Sequence, residues 1–334
     1  MIEVLIHSPF ARQASQGNSV TADRLEKILT ESGLGVLMET EFYRGGDAAC
    51  MIALNARRSA DAVAAYKSGH PGKPVIVILT GTDINHVEVE DPASPTRRTM
   101  DLAEVLVVLH EAELQSVPGH LRGKCRVIHP SVILPGGILH RPDAERGEGG
   151  ERSFQVMMAG NLRIEKNPRL AVDACRQLCG HPGIAVASYG DATGDIAHEM
   201  RRASAELSNF EWAGKVDHTV LLQKMEGADL LLNTSTEEGG ANAICEAISL
   251  GLPVVASRIR GNIGMLGDGY AGFFPSGDAR ALADLLLRCA SDGVFYGKLK
   301  SQIAERAPLF AYATEAVAWT ELVRSQLVRL HGDG

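Results

Sequence analysis

The chain of 334 residues lacks an apolar run near the ~20 residues of a membrane-spanning helix, and it lacks an excess of positive charge. Its 41 acidic and 33 basic side chains leave a net charge of −8, which argues against a nucleic-acid-binding protein because such proteins present a basic face. The start, residues 1–7, carries an acid at Glu3 and predicts a first strand rather than a signal peptide. We therefore expect a cytoplasmic protein with no stable membrane association and no nucleic-acid partner.

Cysteines are few and lack the spacing of a metal site. The six stand at positions 50, 125, 175, 179, 245 and 289, and none forms a C-x-x-C pair. Cys175 and Cys179 lie one helical turn apart without the paired spacing that zinc sites use. The sequence also has no Asp-x-Asp run. We expect buried, reduced thiols and no catalytic metal.

The dinucleotide-binding fingerprint does not follow the first strand, and the P-loop is absent. The first strand is followed by Gln16-Gly17-Asn18 with no G-x-G-x-x-G, and the chain has no P-loop. A nicotinamide-dependent dehydrogenase and a P-loop nucleotide hydrolase are therefore disfavoured.

Short apolar runs nevertheless alternate with helical patterns along most of the chain, which predicts an α/β fold of two doubly wound, Rossmann-like domains. The strands predicted for the first domain are Ile2–Ile6, Met51–Leu54, Val75–Leu79, Val105–Leu109 and Arg126–His129. Those predicted for the second are Phe154–Ala159, Ala185–Ser188, Asp229–Asn233, Val254–Ala256 and Gly272–Phe274, and residues 210–216 are also strand-like.

A Gly-rich charged stretch separates the two series and predicts the domain boundary. We expect an N-terminal domain over residues 1–140, a linker over 141–152, a C-terminal domain over 153–312 and a final helix within 313–334. That helix carries an apolar stripe including Trp319 and Val323. It either returns to the first domain or caps the second.

The most informative motif is the pair of carboxylates Glu238 and Glu246, separated by seven residues. A helix predicted over residues 243–249 begins between them, after Gly239-Gly240, so both acids can share a face. Glycines admit a ligand to the backbone, and a helix N-terminus offers N–H groups to an anion. The motif suits a sugar nucleotide. The alternative is a solvated acidic loop before a half-buried helix.

Together with the two α/β halves, this E-x7-E run resembles the retaining glycosyltransferases of the family-4 type, which have the GT-B fold with two Rossmann-like domains facing a central cleft. Several further blocks are similar to the selenosugar synthases of selenoneine biosynthesis. They are the runs at residues 53–60, 79–83, 238–242, 256–267 and 272–278.

The resemblance implies a reaction. Selenophosphate would attack the anomeric carbon of UDP-N-acetylglucosamine or UDP-glucose, UDP would leave, and loss of phosphate would give a 1-seleno sugar. The required assistance is largely electrostatic, because charge builds on the departing diphosphate. No cofactor is needed, and the partners are the two small-molecule substrates.

The resemblance also assigns a donor site. Arg163 and Lys166 would grip the diphosphate, although Asn161 stands where relatives commonly have Arg; Glu238 would hold the sugar ring and Glu246 the ribose. We expect catalytic roles for Lys166, Arg163 and Glu238. The remaining donor-binding residues would be Gly17, Gly240, Ala241 and Asn242.

The first domain would hold the acceptor. Arg57 and Arg58 follow a predicted strand, where guanidinium groups could hold a tetrahedral anion; otherwise they are a surface pair at a helix start. Thr80 stands where many related enzymes have His, and Asn55 where selenosugar synthases have His. The acceptor-binding residues expected are Asn55, Arg57, Arg58, Thr80 and Asp83.

Two other functions remain open at this point. One is a retaining glycosyltransferase with a hydroxyl acceptor, which Asn55 keeps possible. The other is a sugar-nucleotide-binding subunit without catalysis.

Overall fold

The computed structural model divides into two compact units, each described here by itself. The first comprises residues 1–130 and 312–334, and the second Ser131–Ala311. The structure describes residues 2–9, 17–40, 43–44, 47–81, 83, 89–136, 153–181 and 183–332. No helix in these ranges is long and apolar enough to cross a bilayer.

The first unit is built on a parallel sheet with the described strands in the order β2-β1-β3-β4-β5-β6. Its central strands are buried along their whole length, as in sheets covered by helices on both faces. The strands are β1 Val4–Ser8, β2 Val36–Thr40, β3 Cys50–Leu54, β4 Val75–Ile78, β5 Val105–Val108 and β6 Cys125–Val127.

Helices of the first unit are α1 Gly17–Glu31, α2 Ala60–Gly69 and α3 Pro95–Leu102, and the chain returns at its end to add α11, Tyr312–Gly332. Trp319 and Val323 of α11 are buried in the same apolar cluster as Ile28 of α1. A buried ion pair, Arg24 Nε to Glu315 Oε2 at 2.9 Å, joins these two helices. The apolar stripe of the final helix therefore packs on the first unit.

The second unit has its own parallel sheet, with the described strands in the order β12-β11-β10-β7-β8-β9. The strands are β7 Phe154–Ala159, β8 Ile184–Tyr189, β9 Phe210–Gly214, β10 Leu230–Asn233, β11 Val254–Ser257 and β12 Phe273–Phe274. The helices are α4 Pro168–Gln177, α5 Gly194–Glu206, α6 His218–Glu226, α7 Asn242–Ser249, α8 Arg260–Leu266, α9 Ala279–Ser291 and α10 Gly293–Arg306.

The predicted α/β class with doubly wound sheets is confirmed, and the predicted strands lie within two residues of observed ones. One strand, β2, was missed. It lies at the edge of its sheet, is mostly half-buried and contains Glu39, so it lacks the continuous apolar run of the central strands. The expected linker, residues 141–152, lies outside the described residues. The second unit begins earlier than the boundary expected at residue 153, because Val132 and Leu134 pack against its core.

The strand order fixes where each sheet can bind a ligand. Open parallel sheets hold ligands at the carboxyl ends of the strands where the order reverses. In the second unit that point lies between β7 and β10, which are neighbours. The segments leaving these two strands contain Lys166 and Glu238, so two residues predicted for the donor site emerge at the switch point.

Candidate functional site

Glu238 lies in the loop between β10 and α7, where three side chains converge on one of its carboxylate oxygens. Oε1 accepts hydrogen bonds from the ammonium of Lys166, from Ser235 Oγ at 2.6 Å and from Asn233 Nδ2 at 3.4 Å. The Glu238 side chain is only 9% exposed. A carboxylate this buried requires such partners, and the cluster holds it in one position.

Hydrogen bonds to two backbone carbonyls connect the Lys166 segment to the loop after β10. Thr234 Oγ1 donates to the carbonyl of Lys166 at 2.8 Å, and the N–H of Thr236 donates to the carbonyl of Glu165 at 2.8 Å. Asn167, directly after Lys166, adopts a left-handed conformation with φ 45°, which Asn tolerates better than most residues. The two segments therefore form one rigid platform.

The buried side-chain amide of Asn262 bonds residues of this platform. Asn262 of α8 is fully buried, and its Nδ2 donates to the carbonyl of Ser257 at 3.0 Å and to Asn233 Oδ1 at 3.3 Å. Asn233 Oδ1 also accepts from the N–H of Ser235 at 3.1 Å. Two of the three residues that bond Glu238, Asn233 and Ser235, are thus themselves oriented.

Close backbone contact brings α8 against the Glu238 loop. A Cβ placed on Gly261 would overlap the carbonyl oxygen of Glu238 and crowd its side chain. Only glycine fits at this position without moving the loop. Sequence reasoning included residue 261 in a family block but assigned it no role.

Arg163 differs from Lys166 in its surroundings. Its side chain is 62% exposed and pairs with Glu165, Nε to Oε1 at 3.0 Å. Asn161 accepts a hydrogen bond on Oδ1 from the N–H of Asp191 at 3.2 Å. The structure brings Lys166 to Glu238 and leaves Arg163 in an exposed ion pair.

Glu246 lies in the second turn of α7, and its side chain is 8% exposed. Its Oε1 lies 2.8 Å from Nε2 of His218, the first residue of α6. The hydrogen bond and charge of Glu246 raise the pKa of His218 against the opposing effect of burial. Sequence reasoning missed His218, because nothing in the spacing links two residues 28 positions apart on different helices.

The start of α7 lies between the two acids. Ala241 is the N-cap residue and is buried, and no side chain caps the helix there. The first N–H groups of a helix have no acceptor within it and carry the positive end of the helix dipole. The N–H groups of Ala241 and Asn242 lie at this helix start, and that of Gly240 lies just before it.

In the first unit, the predicted acceptor residues cluster after β3 and β4. Asn55 is buried with a left-handed φ of 67°; its Nδ2 donates to Thr80 Oγ1 at 2.9 Å and its Oδ1 accepts from the N–H of Arg58 at 3.0 Å. Arg57 and Arg58 are exposed. Gly17 is the first residue of α1, which follows β1 of this sheet.

Asp83 supports these loops from the interior. It is 1% exposed, and its oxygens accept from the N–H of Ala56 at 2.6 Å and of Thr80 at 2.8 Å. Burial raises its pKa, and these hydrogen bonds oppose the rise. Its carboxylate therefore faces backbone groups and joins the loop after β3 to the loop after β4.

Comparison with known proteins agrees with this architecture. Residues 153–292 match the family model described as glycosyl transferases group 1. A D-inositol 3-phosphate glycosyltransferase of Corynebacterium urealyticum is 24% identical over 266 residues, covering 72% of this chain and 61% of that protein. This chain thus spans about three fifths of that relative. A glycosyltransferase 1 domain-containing protein of Xenopus tropicalis is 24% identical over 75% of this chain and 77% of its own length.

The solved structure of Alr3699/HepE from Anabaena in complex with UDP superposes with a TM-score of 0.73 at 17% identity, covering 97% of this chain and 100% of that one. At this identity the likeness establishes the fold alone. Residues 153–292 therefore resemble the glycosyl transferases group 1 family, in a chain that has the GT-B fold.

Proposed function

We propose that the protein is a glycosyltransferase that takes its sugar from a UDP-sugar bound to the second unit. The observation that carries this proposal is the contact between Lys166 and Glu238 at the switch point of the sheet. This contact places a cation that suits a diphosphate next to a carboxylate that suits sugar hydroxyls. Both belong to the platform beside the start of α7. The family match of residues 153–292 supports the same activity.

Each part of a UDP-sugar has a matching group. The diphosphate would bind the N–H groups of Gly240, Ala241 and Asn242 together with Lys166, whose ammonium offsets the charge that develops as UDP departs. Glu238 would accept hydrogen bonds from the sugar hydroxyls, and Glu246 from those of the ribose. The structure of the Anabaena protein, which has the same fold, has been solved in complex with UDP and also with UDP-glucose. This supports a UDP-sugar as the donor.

For the acceptor we propose selenophosphate, with UDP-N-acetylglucosamine or UDP-glucose as donor. A selenium lone pair forms the bond to the anomeric carbon while the bond from that carbon to the diphosphate oxygen breaks, and UDP leaves with the electron pair. Water then cleaves the phosphorus–selenium bond, which gives phosphate and the 1-seleno sugar. Support comes from the sequence blocks that resemble those of selenosugar synthases and from the exposed Arg57 and Arg58, whose guanidinium groups suit a tetrahedral anion.

Product analysis tests this proposal. Each UDP-sugar is incubated with selenophosphate, with phosphate or with an alcohol, and the products are identified by mass spectrometry. We expect UDP release to depend on selenophosphate and a sugar product with the selenium isotope pattern. If UDP release required the alcohol and did not depend on selenophosphate, the proposed acceptor would be wrong. The proposed UDP-sugar donor would be unaffected.

The second candidate is a glycosyltransferase with a hydroxyl acceptor. Asn55 favours it, because this residue stands where selenosugar synthases have His and is buried in hydrogen bonds to Thr80 and Arg58. The name of the Corynebacterium relative, an inositol phosphate glycosyltransferase, fits the same reading. A glycoside formed from the alcohol in the same assay would identify this function.

A further inference from the structure

His218 forms a contact with Glu246 that no step of the proposed reaction uses. It begins α6, and its side chain is 50% exposed, whereas that of Glu246 is 8% exposed. The 2.8 Å separation of Nε2 and Oε1 is a full hydrogen bond. A partly exposed imidazole thus lies against an almost buried carboxylate.

The contact constrains a group that is otherwise poorly fixed. The last side-chain torsion of glutamate has broad, shallow preferences, so burial of the stem alone leaves the plane of the carboxylate loosely defined. A hydrogen bond from Nε2 to Oε1 fixes that plane. Four lone-pair positions are available on an ionised carboxylate, and three remain after this bond.

We propose that His218 is a positioning residue that orients Glu246 toward a pair of neighbouring hydroxyls, and that it thereby sets the preference of the donor site for a ribonucleotide over a deoxyribonucleotide. The inference rests on the proposed UDP-sugar site. It follows from the chemistry of a diol, whose two O–H groups each need an acceptor in a defined direction. Misaligning the carboxylate weakens binding of both hydroxyls together more than binding of one.

The electrostatics of the contact support this role. Glu246 stabilises the charged imidazole, which is why the pKa of His218 is raised although its burial acts in the opposite direction. A charged donor makes a shorter and stronger hydrogen bond than a neutral one. The orientation of Glu246 is therefore held most firmly when His218 is protonated.

Calorimetric titration with UDP and with 2′-deoxy-UDP tests the proposal on the full chain. His218→Ala removes the donor, and His218→Gln retains an N–H group that can donate. His181→Ala, which alters an exposed histidine of the same unit, is the matched control. The readout is the ratio of the two dissociation constants, since a general structural effect would weaken both ligands equally.

We expect the wild-type protein and His181→Ala to bind UDP more tightly than 2′-deoxy-UDP. His218→Ala should bind UDP about tenfold more weakly, which corresponds to the free energy of one hydrogen bond to a charged group. Its affinity for 2′-deoxy-UDP should change by less than about threefold. His218→Gln should restore most of the ratio. An unchanged ratio in His218→Ala, or an equal loss for both ligands, overturns the inference while leaving the UDP site intact.

A second measurement needs no nucleotide. The pKa of His218 is followed by NMR in the wild-type protein and in Glu246→Gln, and we expect a lower pKa in the variant. Equal values would overturn the contact itself. Failure of the wild-type protein to bind UDP, with the pKa difference present, would instead overturn the donor site and with it the proposed role of His218.

Discussion

Lys166 and Arg163 leave the same turn of the second unit with different surroundings. Lys166 bonds a buried carboxylate, and Arg163 is exposed beside Glu165. We expect Lys166→Ala to lower kcat by about 10²–10³-fold, as for loss of a group that stabilises transition-state charge. The kcat of Lys166→Arg should lie between those of the wild-type protein and Lys166→Ala, because a guanidinium keeps the charge but not the compact geometry of an ammonium.

Arg163→Ala serves as the matched comparison: the resemblance assigns Arg163 a catalytic role as well, but its guanidinium pairs with Glu165 at an exposed position and not with Glu238. It should change kcat by no more than about threefold. The kcat of both variants is measured as the rate of UDP release, in the presence of the acceptor that product analysis has identified. A larger loss in Arg163→Ala than in Lys166→Ala would reverse the assignment of the two cations.

The contact between His218 and Glu246 makes the stability of the fold depend on pH. The pKa of His218 is raised above 6.5 in the folded protein, so the contact contributes its full stability below the unfolded pKa and loses it as pH rises through the folded one. His218→Gln should therefore lower the free energy of unfolding more at about pH 5.5 than at about pH 8.5. The difference should stay under about 1 kcal/mol, because the imidazole is half exposed.

Denaturant unfolding of the wild-type protein and His218→Gln at the two pH values checks this expectation. In a Glu246→Gln background, the effect of the histidine substitution should no longer depend on pH. A larger effect at the higher pH would show that the contact does not favour the charged imidazole.

At the scale of elements, α8 and the loop after β10 fit together only through Gly261. Gly261→Ala would force the two apart, because the new Cβ overlaps the backbone of Glu238. We expect a loss of UDP affinity of about tenfold or more, as for displacement of a charged hydrogen-bonding group, together with reduced stability. Calorimetric titration with UDP and thermal unfolding report the two effects.

Gly297→Ala provides the control, since this glycine of α10 has nothing within 4 Å of the added Cβ. It should raise stability by about 0.5–1 kcal/mol and leave UDP binding unchanged. If Gly261→Ala bound UDP normally, the position of the Glu238 loop would not matter for the donor.

Individual elements also show how far the sequence could predict the structure. Central strands such as β3 and β10 were predictable, because burial on both faces demands continuous apolar runs. Edge strand β2 was not, since its apolar run ends after Met38 and is followed by Glu39. Lys166 and Glu238 are assigned to one donor site by the resemblance, and the structure brings the two side chains into contact. The bond between His218 and Glu246 was not, because it depends on how α6 and α7 pack.

At the scale of the whole molecule, the two units have separate apolar clusters, and α11 belongs to the first unit although it follows the second in sequence. Calorimetry of such a protein should resolve two unfolding transitions if the units unfold independently, and a change confined to one unit should then move one of them. The ion pair between Arg24 and Glu315 lies within the first unit, and each side chain is only 5% exposed.

Glu315→Ala leaves the guanidinium of Arg24 buried without this carboxylate, and removal of one partner of a buried pair costs about 3–5 kcal/mol. We expect the midpoint temperature of one calorimetric transition to fall and that of the other to remain unchanged. Arg324→Ala is the control on the same helix: its guanidinium donates to the carbonyl of Ser32 at an exposed position, and its loss should cost no more than about 0.5 kcal/mol. Equal shifts of both transitions in Glu315→Ala would mean that the final helix stabilises the two units jointly rather than the first alone.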